Sequence, residues 1–188
     1  MKTLKFTLFA LLLLAGTNLF AQQSASSPEK YGMTLNAGAG IGYHRYSARA
    51  TPVLHADFEF DVAKNFTLAP FITYYSYQSY YYWGNNNYPY QDYYYRTTVI
   101  PIGIKGSYYF DQLINAPKFD FYVAGSLGFV IRKTIWDAGY YGDRSYIHST
   151  SPLYLDVHLG TEYHINNKIG VFLDLSTGIS TLGLAVHL

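Results

Sequence analysis

Asp156, His158, Glu162 and His164 lie at alternate positions of the segment LYLDVHLGTEYH. Imidazole and carboxylate together are ligand chemistry for zinc. In an extended chain, though, side chains at i and i+2 stand about 7 Å apart, roughly twice the rise per residue. That is too stretched for compact coordination without help from a neighbouring strand, so no metal centre and no cofactor are expected. Nucleophilic catalysis has one candidate pair near a loop end, His148-Ser149. A serine beside a histidine needs a third group to orient the base, and nothing nearby marks one. The expectation is a protein that is not an enzyme.

Two further sets carry chemistry. One is ionic: Asp57, Glu59, Asp156 and Asp174, with Lys105 as the cation among them. The other is aromatic. Tyr80 to Tyr95 reads YYYWGNNNYPYQDYYY, almost all phenols and amides around Asp92. Tyr and Trp offer rigid, amphipathic contact area, and Asn and Gln add adaptable hydrogen bonds. Tyr80, Tyr81, Tyr82, Trp83, Tyr88, Tyr90, Tyr93, Tyr94, Tyr95 and, from a later loop, Trp136 form the candidate binding surface, which Tyr140-Tyr141 could extend.

What must position these sets follows from composition and period. Residues 1–21 open with two lysines, continue with a short apolar run and end on Ala21, the pattern of a secretory signal peptide. Residues 22–30 read as a loose leader and 31–188 as one domain. There is no cysteine, so neither a lipid-anchored lipoprotein nor a disulfide scaffold is expected. A net charge of +1 gives no reason to expect nucleic acid. Charged residues are 13% and aromatics 19%, whereas soluble domains carry about 25% charged residues. No later segment is apolar enough for a membrane helix, so a membrane would have to be crossed by strands.

The period is two nearly throughout. In GMTLNAGAGIGYH, Met33, Leu35, Ala37, Ala39, Ile41 and Tyr43 share one face, and Gly, Thr, Asn and His share the other. Seven further segments complete eight strands: LHADFEFDV, Thr67 to Tyr77, IPIGIKGSYYF, FDFYVAGSLGFVI, LYLDVHLGTEYH, IGVFLDLST and LGLAVHL. The third has two readings. Either Leu68, Pro70, Ile72 and Tyr74 share the apolar face, which is preferred, or Ala69, Phe71, Thr73 and Tyr75 do. Pro70 and Pro101 cannot donate to a ladder, so a bulge is expected near each. Tight turns at Ala63–Asn65 and Ile165–Asn167, with a somewhat longer Asp111–Pro117, alternate with long stretches at Tyr77–Arg96 and Arg132–Ser151. Short turns at one end and long loops at the other describe an outer-membrane barrel.

Alternation alone also fits a soluble, lipocalin-like barrel with its apolar face inside. Three features favour apolar side chains pointing outward. The apolar face of these strands carries no formal charge, as lipid contact requires. The opposite face is rich in Gly, Ala and Ser, which suits a narrow eight-stranded lumen. Tyr43, Tyr74, Tyr108, Phe110, Phe119 and Tyr163 gather near strand ends, as in interfacial aromatic girdles.

The LFAQ cleavage region, the strands VIPIGIKGSYYF and FDFYVAGSLGF and the ending GISTLGLAVHL together resemble the small eight-stranded outer-membrane barrels of the OmpX/OmpA-like class, above all those of Bacteroidetes-type bacteria. The resemblance covers about Tyr31 to Leu188. It implies an all-β, eight-stranded, antiparallel up-and-down transmembrane barrel in the bacterial outer membrane, with both termini periplasmic. It also implies two partners: outer-membrane lipid or lipopolysaccharide, and the barrel-assembly machinery. That machinery usually reads a terminal aromatic residue, where this chain has Leu188.

On that frame Asp57, Glu59, Lys105, Asp156 and Asp174 are expected to form a lumen salt-bridge network, with Lys105 touching at least one of Asp57, Glu59 and Asp174. Asp61, Asp120 and Glu162 are placed near the periplasmic turns and their lysines. The tyrosine stretch is expected to continue two strands above the membrane as a hairpin turning near Gly84–Asn87, held by pairing and ring stacking without a core beneath it. Surface binding of a glycan or protein ligand, adhesion, or a role in envelope integrity follows. A narrow porin-like channel and a soluble ligand carrier are the alternatives.

Overall fold

The computed structural model describes residues 32–43, 51–110, 116–144 and 151–188. The expected signal peptide and leader lie outside the described residues, as do His148-Ser149 and most of Asp111–Pro117.

Eight antiparallel strands follow one another in chain order: β1 (Met33–Gly42), β2 (Thr51–Ala63), β3 (Phe66–Asn85), β4 (Tyr88–Tyr109), β5 (Phe119–Trp136), β6 (Leu153–Asn166), β7 (Ile169–Ser176) and β8 (Ile179–His187). Each pairs with the next, and β8 pairs back onto β1, so the sheet is a closed up-and-down barrel. Closure leaves no edge strand among the eight, which is what a strand-built membrane protein needs.

The alternation sets which face is which. Leu35, Leu54, Ile72, Ile104, Leu127, Leu155, Leu173 and Leu184 are all exposed on the outside, Leu155 at 67%. Their neighbours Asn36, Asp57, Thr73, Lys105, Ser126, Asp156 and Asp174 are buried in the lumen. The soluble-carrier alternative needs the reverse orientation and fails here. In β3, Ile72 and Tyr74 face out while Thr67, Ala69, Phe71 and Thr73 face in, which is the preferred phase. Aromatic rings stud the outer surface near both ends. Phe119 packs on Tyr163 and Phe121 at the short-turn end, and Tyr43 and Tyr74 stand exposed toward the other.

No bulge forms at either proline. Pro70 pairs with Ile104 and Pro101 with Val130, in registers unchanged on both sides of the proline. In an antiparallel sheet a residue's N–H and C=O address the same neighbour, so a missing donor interrupts one ladder only. The β2–β3 ladder skips the rows at Ala69 and Pro70, and the β3–β4 ladder skips those at Ile100 and Pro101, then each resumes in step. The register shifts lie instead beside the tight turns, at Asp61/Ala63, Trp83/Asn85 and His164/Asn166. Two of those turns share one device. Asn85 Oδ1 accepts from the N–H groups of Asn87 and Tyr88, and Asn166 Oδ1 accepts from those of Lys168 and Ile169. At the third, Asn65 takes a φ of 59°, a left-handed conformation that asparagine tolerates.

β3 and β4 are the longest strands, with 20 and 22 residues. They stay paired from Phe66↔Tyr108 to Asn85↔Tyr88, so the tyrosine stretch is a hairpin continuous with the barrel wall. β5 also extends further than expected, to Trp136, and remains paired with β4 up to Tyr95↔Trp136.

Candidate functional site

Two sites emerge, the lumen and the hairpin above it. In the lumen, Lys105 from β4 is 4% exposed and donates to Asp57 Oδ2 at 2.7 Å, with Asp174 Oδ2 at 3.8 Å. Asn36 Nδ2 bridges Asp57 Oδ1 at 2.8 Å and Glu59 Oε2 at 3.3 Å. Glu59 accepts from Tyr109 Oη at 2.5 Å and from the Thr67 hydroxyl. His55 joins Asp57 at 3.0 Å to Thr73 at 2.8 Å. On the far wall Asp174 accepts from Tyr122 Oη at 2.8 Å and bonds to His158 Nδ1 at 2.7 Å. One connected network thus ties β1 through β7 together. An unpaired charge at this depth is costly, and each charged member here has a partner.

Asp156, expected in that network, lies apart from it. Its carboxylate caps the β7–β8 turn, accepting from Thr177 Oγ1 at 2.5 Å, Ser176 Oγ at 2.8 Å, Tyr154 Oη at 2.9 Å and Gly178 N–H at 3.1 Å. The turn presents three donors and Tyr154 of β6 a fourth, and they claim the carboxylate. At the short-turn end Asp120 and Glu162 pair with His164 at 2.8 Å and His187 at 2.7 Å, and Asp61 accepts from Gly32 N–H. His164 reaches Asp120 from the adjacent strand and His187 reaches Glu162 across β7, whereas Lys64, Lys118 and Lys168 sit exposed on turns.

The network also contains a serine, a histidine and an aspartate in relay order. Ser126 Oγ is 2.8 Å from His158 Nε2, whose Nδ1 is 2.7 Å from Asp174. The same order serves hydrolases, but here all three side chains are buried and Asp174 is shared with Tyr122 and Lys105. Sequence reading missed this trio because its members lie on three strands. Two registers join them: β5–β6, with Ser126 opposite Asp156 and Ala124 opposite His158, and β6–β7, with Gly160 opposite Asp174.

The hairpin has two unlike faces. Its lumen-side face is a small aromatic core. Tyr140, 1% exposed, stacks on Trp136 with centroids 4.1 Å apart and planes at 12°. Edge-on to Tyr140 stand Trp83 at 5.3 Å, Tyr93 at 5.4 Å and Tyr81 at 6.3 Å. Tyr95 packs on Trp136 at 4.9 Å, and Tyr88 stacks on Tyr141 at 4.8 Å. Tyr140 Oη donates to the Asp143 carbonyl and Arg144 donates to the Tyr140 carbonyl, which folds the strap after β5 on itself, and the Asp137 N–H donates to the Tyr94 carbonyl of the hairpin at 2.9 Å. Burial raises the Tyr140 phenol above its ordinary pKa. The opposite face continues the barrel's exterior. Tyr80, Tyr82, Tyr90 and Tyr94 are exposed there around Asp92.

The single ten-residue aromatic surface expected from sequence therefore divides. Tyr81, Trp83, Tyr93, Tyr95 and Trp136 build a core, with Tyr140 at its centre and Tyr88 at its edge. Of the ten, Tyr80, Tyr82, Tyr90 and Tyr94 present open rings, and Tyr141 of the strap is exposed as well. The hairpin does have a core, made from the strap that follows β5. Below the open rings, Arg96 and Lys133 point outward above Ile100 and Ile131, so cations top the apolar band.

No protein-family model matches the chain, and no curated protein matches it in sequence. Solved structures do match in shape. Neisserial surface protein A aligns over 83% of this chain and 96% of its own, at 14% identity and a TM-score of 0.54. The fold is that of the small eight-stranded outer-membrane barrels. A de novo designed transmembrane β-barrel aligns over 84% of this chain and 96% of its own, at 12% identity and a TM-score of 0.48. Outer Membrane Protein W of E. coli does so over 86% and 100%, at 12% and 0.47. At such identities the likeness concerns the fold alone.

Proposed function

We propose that this chain is a non-enzymatic outer-membrane barrel that holds a rigid aromatic hairpin outside the cell as a surface for binding. The observation that carries this reading is the division of the hairpin's rings. One face is consumed in packing against Trp136 and Tyr140, which fixes the hairpin's shape. The other face leaves four tyrosines open beside Asp92. Pre-ordered rings lose little entropy on binding, and flat rings beside a carboxylate suit sugar faces and hydroxyls. A glycan of a neighbouring surface is therefore the favoured ligand, with an extracellular protein as the second class. Arg96 and Lys133, just above the apolar band, suit the phosphates of outer-leaflet lipopolysaccharide.

The filled lumen argues against a channel. Lys105, Asp57, Asp174, Tyr109 and Tyr122 cross-link the walls where a pore would have to run.

The test replaces the open rings and spares the packed ones. A variant with Tyr80, Tyr82, Tyr90 and Tyr94 changed to Ser should keep heat-dependent gel mobility and lose binding on a glycan array and to host cells. Unchanged binding to every ligand of the parent barrel would overturn the reading.

A further inference from the structure

At the short-turn end, β6 and β8 bring three ligand-type side chains to one point. Glu162 and His164 come from β6, and His187 comes from β8. One ligand atom from each lies within 4.8 Å of the other two. Glu162 Oε1 is 2.7 Å from His187 Nε2 and 3.7 Å from His164 Nδ1. We propose that Glu162, His164 and His187 form a binding site for a divalent transition-metal cation of the zinc class.

Three observations separate this cluster from an ordinary salt bridge. First, the outer nitrogen of each ring is already held. His164 Nε2 is 2.8 Å from Asp120 Oδ2, and His187 Nδ1 is 3.0 Å from Thr34 Oγ1. Metal-ligating histidines are held in this way by their second nitrogen, which fixes the tautomer and aims the first at the ion. The Thr34 hydroxyl can accept as well as donate, so His187 can carry its proton on Nδ1 and present Nε2 as a lone pair.

Second, space is reserved for the carboxylate. Gly170 of β7 sits between His164 and Ala185 in the register. A Cβ there would meet Glu162 Oε1 at 1.9 Å. The missing side chain is what lets Glu162 reach across β7 to His187.

Third, the distances bracket coordination. Two bonds of about 2.0–2.1 Å at a tetrahedral angle set ligand atoms roughly 3.3 Å apart, between the observed 2.7 and 3.7 Å. A shift of the flexible carboxylate adjusts its own two distances, and the imidazole nitrogens, within 4.8 Å of each other, close toward the ion by small ring movements. Both imidazoles are partly open to solvent, so water can fill the fourth position. The spacing of Glu162 and His164 along one strand is too stretched for a site by itself, and His187 supplies the cross-strand ligand. An ion here would tie the last strand to β6 across β7 and stabilise the native barrel by mass action.

The experiment uses the untagged barrel, refolded in detergent and stripped with EDTA, and titrates it with zinc sulfate by calorimetry. Cobalt(II) in place of zinc reports geometry by its visible absorption. The expected result is one ion per barrel and the intense spectrum of tetrahedral cobalt. H164A/H187A should abolish binding, and E162Q should weaken it. D120N, which touches no ligand atom of the site, should weaken it about 10- to 100-fold. G170A, which displaces the Glu162 carboxylate, should weaken it too. Heat-dependent gel mobility checks that each variant is folded. Zinc uptake by the parent no tighter than by folded H164A/H187A would overturn the proposal. So would an octahedral cobalt spectrum of the parent, a readout that needs no variant.

Discussion

Tyr122 lies across Gly160. The two are cross-strand partners, and a Cβ at position 160 would meet the Tyr122 ring at 2.0 Å. Gly160 also pairs with Asp174 on its other side, so the phenol crosses β6 over the bare glycine and donates to Asp174 Oδ2 at 2.8 Å. That one row, Tyr122–Gly160–Asp174, links β5 to β7 through the lumen.

Gly160→Val should therefore expel the ring and break the bond to Asp174. Overpacking of this kind costs about 1–3 kcal/mol. Tyr122→Phe keeps the ring and loses only the hydroxyl, at a cost of about 1 kcal/mol. Urea unfolding of the barrel in lipid vesicles, followed by tryptophan fluorescence, measures both. Equal stabilities for Gly160→Val and the parent would contradict the placement.

Lys105 holds two carboxylates, and its loss strands them. Lys105→Met should destabilise by about 3–5 kcal/mol, the cost of leaving buried charge uncompensated. Adding Asp57→Asn should recover part of that loss, because one stranded charge is then removed. The parent barrel should conduct at or near background in planar bilayers, since these side chains close the lumen. A large steady pore in the parent would contradict the filled interior.

The aromatic core sets the hairpin's rigidity independently of the barrel. Tyr140→Ala removes the ring that Trp83, Tyr93, Tyr81 and Trp136 all touch. Amide exchange across residues 77–96 should accelerate at least tenfold, while exchange in β6 to β8 stays unchanged. Uniform exchange in both would show that the hairpin needs no such core.

These relationships were legible in the sequence to different depths. Strand number and the outward face follow from a period of two, because the pleat ties parity to direction, and the hairpin follows from β-favouring flanks around a turn. The phase of β3 had two readings, because both parities of Thr67 to Tyr77 carry apolar residues, and the structure takes the preferred one. Parity also put Lys105 and Asp57 in one lumen. It could not say which acids Lys105 meets, because that depends on register between strands far apart in sequence. Asp156 shows the limit: it has the right parity, yet the β7–β8 turn claims it. The tyrosines show another. Parity broke down in YYSYQSYYYW, where both faces are aromatic, so the buried set could not be told from the open set without Tyr140. The prolines misled because a lost donor was equated with a lost register.

Orientation in the membrane is the claim on which the rest stands. The chain has no cysteine, so single-cysteine variants at Leu35, Leu127, Leu155 and Leu173, and at the lumen positions Asn36, Ser126 and Thr73, can each carry one spin label. In lipid vesicles the first group should collide with oxygen far more often than with a water-soluble nickel chelate, with oxygen preference rising toward the bilayer centre. The lumen group should be shielded from lipid. Labels at the leucines that report water or packed protein, with lipid contact at 36, 73 and 126, would contradict the account.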